Sequence, residues 1–286
     1  MMFTYTIQKQ TSIDDFLKSF YLSRSNIYIL KTNKLIKVNG KLITDNILNK
    51  GDLIEIDLSS FDTNVAKKKE GKLDIIFENE DFIIINKQKD ILTHTDSKSI
   101  DTLENFLSYY LDSKVRIVQR LDKETTGIIL FPKHLLSASY FSNLIENGRF
   151  LRVYLALVKG KMPKQEGYIN LPIGKDRHKQ NKYLVTKQGK EALTRYKVLK
   201  EGNVSLVLFE IYTGKTHQIR VHTAHIGNPI IGDSLYGNKE DTLYLHSLKI
   251  GFVNHRSKEL ETYETEIPKH FYERMKKENG NTFRNK

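Results

Sequence analysis

Apolar positions along this chain switch between two periods. In VRIVQRLDKETTGIILF, residues 115–131, two apolar runs flank a polar bend. Val115, Ile117, Gln119 and Leu121 alternate with Arg116, Val118, Arg120 and Asp122. A period of two predicts a strand over 115–121, and the composition of 122–127 predicts a turn into the second run, Gly127 to Phe131. Asp122 then stands at the lip of a sheet with Arg120 two residues back on the same side. A carboxylate at a strand end beside a guanidinium is held ionised and aimed. Taken by itself, the stretch fits a turn aspartate bonding its own backbone equally well.

The first 58 residues alternate between helix and strand. Thr11 or Ser12 caps a helix that carries Asp14 and Asp15 in its first turn and Ile13, Phe16, Leu17 and Phe20 at helical spacing. Ser23 caps a second helix with Ile27, Ile29 and Leu30 inside. LIKVNGKLI predicts a hairpin about Asn39-Gly40, and Asn49 to Asp52 turns into a strand over Leu53 to Leu58. Arg24, Lys31, Lys34, Lys37 and Lys41 cluster near the second helix and the hairpin. They form one basic face, which a protein-docking module would also present as a solvated side. Residues 59–71, ending in Lys67-Lys68-Lys69, are polar and predict a flexible linker.

From Lys72 the pattern predicts strands over Ile75 to Glu78 and Phe82 to Asn86, with Lys87 and His94 following. It predicts helices over Thr102 to Leu111 and Leu135 to Glu146, the latter ended by Gly148. Arg149 to Gly160 is a long strand that places Arg152, Tyr154 and Ala156 on one side. Further strands are predicted over 196–199, 204–212 and 243–253, and a helix over 268–277. Gly214-Lys215-Thr216 invites a phosphate-loop reading, but the first glycine of that motif would fall on Phe209. A helix capped by Thr216 and ended by Gly227 fits better, with His217, Arg220 and Ala224 on one face. His222 and His225 make a weak metal pair that only Asp233 would extend; backbone- or phosphate-facing histidines fit better.

Composition narrows the class. The chain has 286 residues, 39% hydrophobic and 28% charged, enough for a sizeable core and two domains. It has no cysteine, which excludes disulfides, thiolate metal sites and a cysteine nucleophile. No apolar run approaches a membrane span, and the N-terminus lacks a signal-peptide order, so a cytoplasmic protein with no membrane partner is expected. The formal charge of +12 mildly favours a polyanion, most often nucleic acid, although Lys-rich codon usage would raise it too.

Residues 1–60 resemble the alpha-L RNA-binding domain known from ribosomal protein S four. Ser23-Arg24-Ser25 opens its second helix, VNGK stands at 38–41 and KGDLIEI at 50–56. Residues 72–277 resemble the RluA-type pseudouridine synthases through three stretches in the family's order: QRLDKETTG at 119–127, RVYLALVKG at 152–160 and TGKTHQIRVHTAHIGNPIIGDSLYG at 213–237. LHSLKIGF at 245–252 fits the closing strand. Residues 61–71 would be the linker and 278–286 a basic tail. The resemblance implies an α+β fold, a mixed and mainly antiparallel sheet with a central RNA-binding cleft, beside a small N-terminal α/β unit. It implies uridine-to-pseudouridine isomerisation with no cofactor and no metal. Asp122 would be the essential carboxylate, Arg220 its basic partner and Tyr154 the aromatic against the uracil. The base must leave its stack to reach Asp122. Arg120, Lys215 and His217 would add RNA contacts.

Gln119 stands where the family has a histidine, Gln88 where it has a proline, and Arg152 where it has a lysine. Gln119 motivates a rival reading, a catalytically silent RNA-binding or ribosome-assembly factor, and His222 with His225 a weaker one, a metal-dependent nuclease. The alpha-L resemblance favours structured large-subunit ribosomal RNA over transfer RNA as partner. A monomer is expected.

Overall fold

The computed structural model describes residues 1–43, 45–63, 65–95 and 99–279. The tail expected over 278–286 therefore lies, from residue 280 on, outside the described residues.

The N-terminal unit follows its hydrophobic pattern. Ser12 accepts the Asp15 N–H and caps α1 (Ile13–Ser19), and Ser23 caps α2 (Arg24–Thr32) by accepting from Asn26. Asn39 and Gly40 both take positive φ, as the tight hairpin between Ile36–Val38 and Lys41–Leu42 requires. These strands join an antiparallel sheet in the order Met2–Thr6, Leu53–Asp57, Ile36–Val38, Lys41–Leu42. The leading strand, Met2–Thr6, was not legible because Phe3 is its only fully buried side chain. Leu42, beside the hairpin turn, is largely exposed.

Beyond it, a nine-stranded sheet runs in the order Glu166–Asn170, Leu193–Lys200, Val204–Ile211, Leu151–Lys159, Leu245–Val253, Thr126–Pro132, Phe82–Lys87, Ile75–Glu78, with Leu260–Glu264 added to Leu245–Val253. The pairings are antiparallel except the join of Thr126–Pro132 to Leu245–Val253, where His246 and Ser247 meet Thr126 and Gly127 in parallel. The backbones come so close there that a Cβ on Gly127 would lie 2.1 Å from the Ser247 carbonyl oxygen, and Gly127 has φ +106°. α3 (Leu103–Tyr110), capped by Thr102, lies one residue inside each predicted bound, and α4 (Leu135–Glu146) begins and ends as the sequence predicts. α5 (Gln218–His225) and α6 (Lys269–Asn279) complete the helices used below.

The strand Leu151–Lys159 is buried on both faces. Leu155 and Leu157 pack with Phe271 and Met275 of α6. Tyr154, Ala156 and Val158 pack with Leu103 and Leu107 of α3 and Ile219 of α5. The N-terminal unit shares a core with α4: Phe3, Phe16 and Phe20 cluster with Phe82, Tyr140 and Phe141. Phe20 stacks on His255 at 3.6 Å between ring centroids, and the Ser19 hydroxyl meets His255 Nε2 at 3.0 Å. In the connecting segment, Lys68 and Lys69 pair with Asp112 and Asp101 beside α3, and Asn105 of α3 donates to the Lys67 carbonyl.

Two expectations are corrected. Residues 115–121 form no strand; they have no ladder partner, bend at Val118, and line the cleft from Ile117 onward. The backbone of Leu121 instead exchanges bonds with the Thr93 side chain, donating at 3.1 Å and accepting at 2.8 Å. Period two in the sequence therefore does not make a sheet member there. Thr216 does not cap α5. The cap position is His217, in the left-handed region at φ +57° and with no side-chain capping bond. Gly227, at φ +87°, follows the helix end as expected.

Candidate active site

A cleft of about 750 Å³ opens between the 117–125 segment, the strand bearing Arg152 and Tyr154, and the start of α5. Asp122, Tyr154 and Arg220 line it, together with Arg120, Lys215 and His217. Far sequence positions thus meet as expected: the Arg220 Nη1 donates to Asp122 Oδ2 at 3.1 Å across 98 residues.

Asp122 is aimed by its turn. The Thr125 N–H donates to the Asp122 carbonyl at 3.1 Å, so the backbone of Asp122 closes the bend while its carboxylate is left for Arg220. The following residue is clamped from below. Lys87, fully buried at the end of Phe82–Lys87, donates its Nζ to the carbonyls of Lys123 at 2.9 Å and Gln88 at 3.0 Å. The Asp90 N–H reaches the same Lys123 carbonyl at 3.0 Å. Burial pulls the Lys87 ammonium down to about 8, opposed by the charges of Asp122 and Asp90.

Arg220 is held from behind by Asp233. Its Nε and Nη2 donate to the two oxygens of Asp233, each at 2.8 Å, a bidentate fork. Asp233 is wholly buried and also accepts the N–H groups of Leu235 and Tyr236. The Tyr236 ring lies 5.4 Å from the guanidinium, and Glu124 lies 3.7 Å from Nη2. Burial opposes the charge on Arg220, but the bonds and charges of Asp233 and Asp122 outweigh it and raise its pKa. Arg220 is thus a fixed cation whose remaining amino group points at Asp122.

His217 flanks the same carboxylate, its Nε2 3.7 Å from Asp122 Oδ2. The Tyr236 hydroxyl accepts the Tyr183 N–H at 2.9 Å and lies 2.9 Å from His217 Nδ1. Among the described residues Nδ1 is the one acceptor in reach of the hydroxyl's own hydrogen; donated there, that hydrogen leaves the neutral ring's proton on Nε2, toward Asp122. Burial pushes the His217 pKa down, with Asp122 opposing, which favours that neutral ring. The left-handed backbone at His217 is the kind of strain that collects at functional positions. Burial raises the pKa of Tyr154, so its phenol keeps its proton and its ring forms an apolar wall.

The expected residues of the N-terminal unit lie apart from this group. Lys31 is paired with Asp14 at 2.8 Å. Lys34 borders a second, smaller depression with Lys31 and Leu42 in the N-terminal unit, while Arg24, Lys37 and Lys41 are exposed there. Arg120 is exposed with its Nη1 3.5 Å from His94 Nε2. The metal pair fails: His222 is buried, with Nδ1 2.9 Å from the Thr194 hydroxyl and Nε2 2.9 Å from the Leu171 carbonyl. Among the described residues no three metal-ligating side chains gather. Sequence reasoning left Lys87 open between a site and solvent, and missed Thr93, Asp233 and Tyr236 as site builders. The one available signal was Lys87, a lysine closing a strand otherwise buried on both faces.

The mixed, largely antiparallel fold is that of pseudouridylate synthases. Human RNA pseudouridylate synthase domain containing 1 superposes with a TM-score of 0.58 at 26% identity, over 69% of this chain and 86% of its own. Residues 81–225 match the family described as RNA pseudouridylate synthase. The uncharacterized RNA pseudouridine synthase YhcT of Bacillus subtilis is 38% identical over 250 residues, 83% of each chain. Ribosomal large subunit pseudouridine synthase D of Borreliella burgdorferi is 34% identical over 272 residues, 87% of this chain and 83% of its own. This chain belongs to the RNA pseudouridylate synthase family, and as such is an isomerase acting on RNA.

Proposed function

We propose that this protein isomerises a uridine of large-subunit (23S) ribosomal RNA, with Asp122 as the essential carboxylate, Arg220 as its fixed partner and Tyr154 as the wall against the uracil. The observation that carries the assignment is the 3.1 Å contact of Asp122 with Arg220 at the cleft wall, where the Asp122 side chain keeps about a quarter of its surface open. The ribosomal target rests on the relatives named for the large subunit.

The reaction breaks the N1–C1′ bond and forms C5–C1′; the C5 proton leaves and N1 gains one. Atoms and electrons balance within the nucleotide. The chain's task is to take the base out of its stack, hold it beside Asp122, and keep the freed uracil in place while it turns. Tyr154 supplies a flat apolar surface for a ring that must rotate, and Arg220 keeps the carboxylate oriented without itself titrating. Arg120, Lys215 and His217 border the mouth for RNA contacts.

In this reading residues 72–277 are the catalytic domain, joined by 61–71 to an N-terminal alpha-L RNA-binding domain over 1–60, whose Arg24, Lys31, Lys34, Lys37 and Lys41 meet phosphates; the protein works as a cytoplasmic monomer. Among the described residues no helix is long and apolar enough to cross a membrane. The test is a pseudouridine map. Total RNA from cells with and without the gene is treated with a carbodiimide that marks pseudouridine and read by primer extension. A large-subunit stop that vanishes in the deletion, and returns with wild type but not with Asp122→Ala, supports the proposal. A stop lost only from transfer RNA moves the target there; no lost stop refutes the reading.

A further inference from the structure

Arg152 is the anomalous charge of the cleft. It lines the wall two residues before Tyr154 on the same strand, and only 4% of its surface is exposed. Among the described residues no carboxylate lies within ion-pair distance of it. Its Nε has no hydrogen-bond partner, and its Nη2 makes a single long contact, 3.5 Å, with the Ile211 carbonyl. Burial accordingly lowers the pKa of this guanidinium, with Tyr154 opposing. A buried charge without a counter-charge is costly, and the free protein tolerates it here. The room around it is kept open by Gly214, where an added Cβ would stand 3.1 Å from Arg152 Nη1.

We infer that Arg152 is an anion site, and that its ligand is the phosphodiester of the nucleotide whose base lies against Tyr154. The inference rests on the functional reading above. A uracil carbonyl is neutral and would leave the charge uncompensated; a phosphate supplies a full negative charge and the paired oxygens that suit a guanidinium fork. Two strand residues span about 7 Å, so a base on Tyr154 brings its own backbone phosphate within reach of Arg152. The cost of burying Arg152 is then offset only when RNA is bound, so the arginine discriminates a seated nucleotide from a free base.

The test compares full-length wild type with Arg152→Met, Arg152→Gln and Arg152→Lys, using a fluorescein-labelled single-stranded oligouridylate and measuring anisotropy across a salt series. One phosphate contact contributes about −0.7 to the slope of log K against log salt on a single strand. Met and Gln are expected to flatten the slope by roughly that amount and weaken binding about ten- to a hundredfold, while Lys keeps the slope. Met and Gln should melt at or above the wild-type temperature, because a buried lone charge is gone. In turnover they should raise KM more than they lower kcat. An unchanged slope in Met and Gln, or a fall in melting temperature with the slope intact, would overturn the inference and make Arg152 a structural residue. The binding arm needs no turnover, so a wild-type protein that made no pseudouridine would refute the functional reading and leave this arm to decide separately.

Discussion

Two arginines stand in the wall of one cleft, both shut off from water, and they are built in opposite ways. Arg220 has Asp233 behind it in a two-bond fork, Asp122 in front and the Tyr236 ring at its side. Arg152 has one distant carbonyl. The first is complete before any ligand arrives, and its order is handed on to Asp122. The second is incomplete, and its demand is for something from outside. Buried charge thus serves two purposes in one site: a satisfied ion fixes geometry, and an unsatisfied one selects a ligand.

Removing Arg220 should do the most damage. Arg220→Met leaves Asp233 wholly buried with no counter-charge, and we expect a loss of about 3–5 kcal/mol in denaturant unfolding together with roughly a 10³-fold or greater fall in activity. Adding Asp233→Leu should return most of the stability and none of the activity. If activity came back with stability, Arg220 would be a folding residue and the contrast with Arg152 would collapse.

Acid offers a second test, because it makes a lone buried cation on demand. His246, beneath the turn, faces only hydroxyls: Nδ1 lies 2.7 Å from Thr126 and Nε2 2.8 Å from Thr265. Burial, helped by His270, pushes its pKa down to about 4 in the folded protein. Between that value and the ordinary histidine value the unfolded chain binds a proton that the folded chain does not. Stability is therefore full above about pH 6.5 and falls as pH drops toward 4, by roughly 3 kcal/mol from this group. Urea unfolding across that window should show a shallower decline in His246→Gln than in wild type. Equal declines would mean that His246 is not buried neutral.

The smallest effect is expected at Tyr236→Phe, which keeps the ring over Arg220 and removes only the hydroxyl. About 1 kcal/mol of stability and less than a tenfold loss of activity should follow. In nitrogen-15 spectra of labelled histidine, His217 should change from the Nε2-protonated ring to a mixture of tautomers. A wild-type His217 protonated on Nδ1 would contradict the hydrogen-bond order assigned through Tyr183 and Tyr236.

Most of the elements could be read from the sequence because their signals are local. Ser12, Ser23 and Thr102 cap their helices, Asn39-Gly40 turns its hairpin, and α4 begins at Leu135 and ends at Glu146. The pairing of Asp122 with Arg220 came through resemblance, since nothing in either stretch reports the other 98 residues away. The failures were of two kinds. At 115–121 the alternation in sequence did not become a strand: Val115 and Arg116 are both buried, the chain bends at Val118, and the Leu121 backbone bonds the Thr93 side chain instead of a ladder partner. At His217 a conformation rare for any residue but glycine displaced the helix start that Thr216 suggested. The supporting residues Lys87, Asp233 and Tyr236 were hidden because their roles depend on distant carbonyls and side chains that only the folded chain brings near.

The most direct measurement of the central claim is tritium release from large-subunit RNA transcribed with C5-tritiated uridine, using purified wild type and Asp122→Asn. The substitution keeps the shape of the side chain, so Asp122→Asn should bind the RNA with wild-type salt dependence. The account predicts release of tritium to water by wild type, and by Asp122→Asn none above the level without enzyme. Release by the Asn variant at a rate near wild type would contradict it.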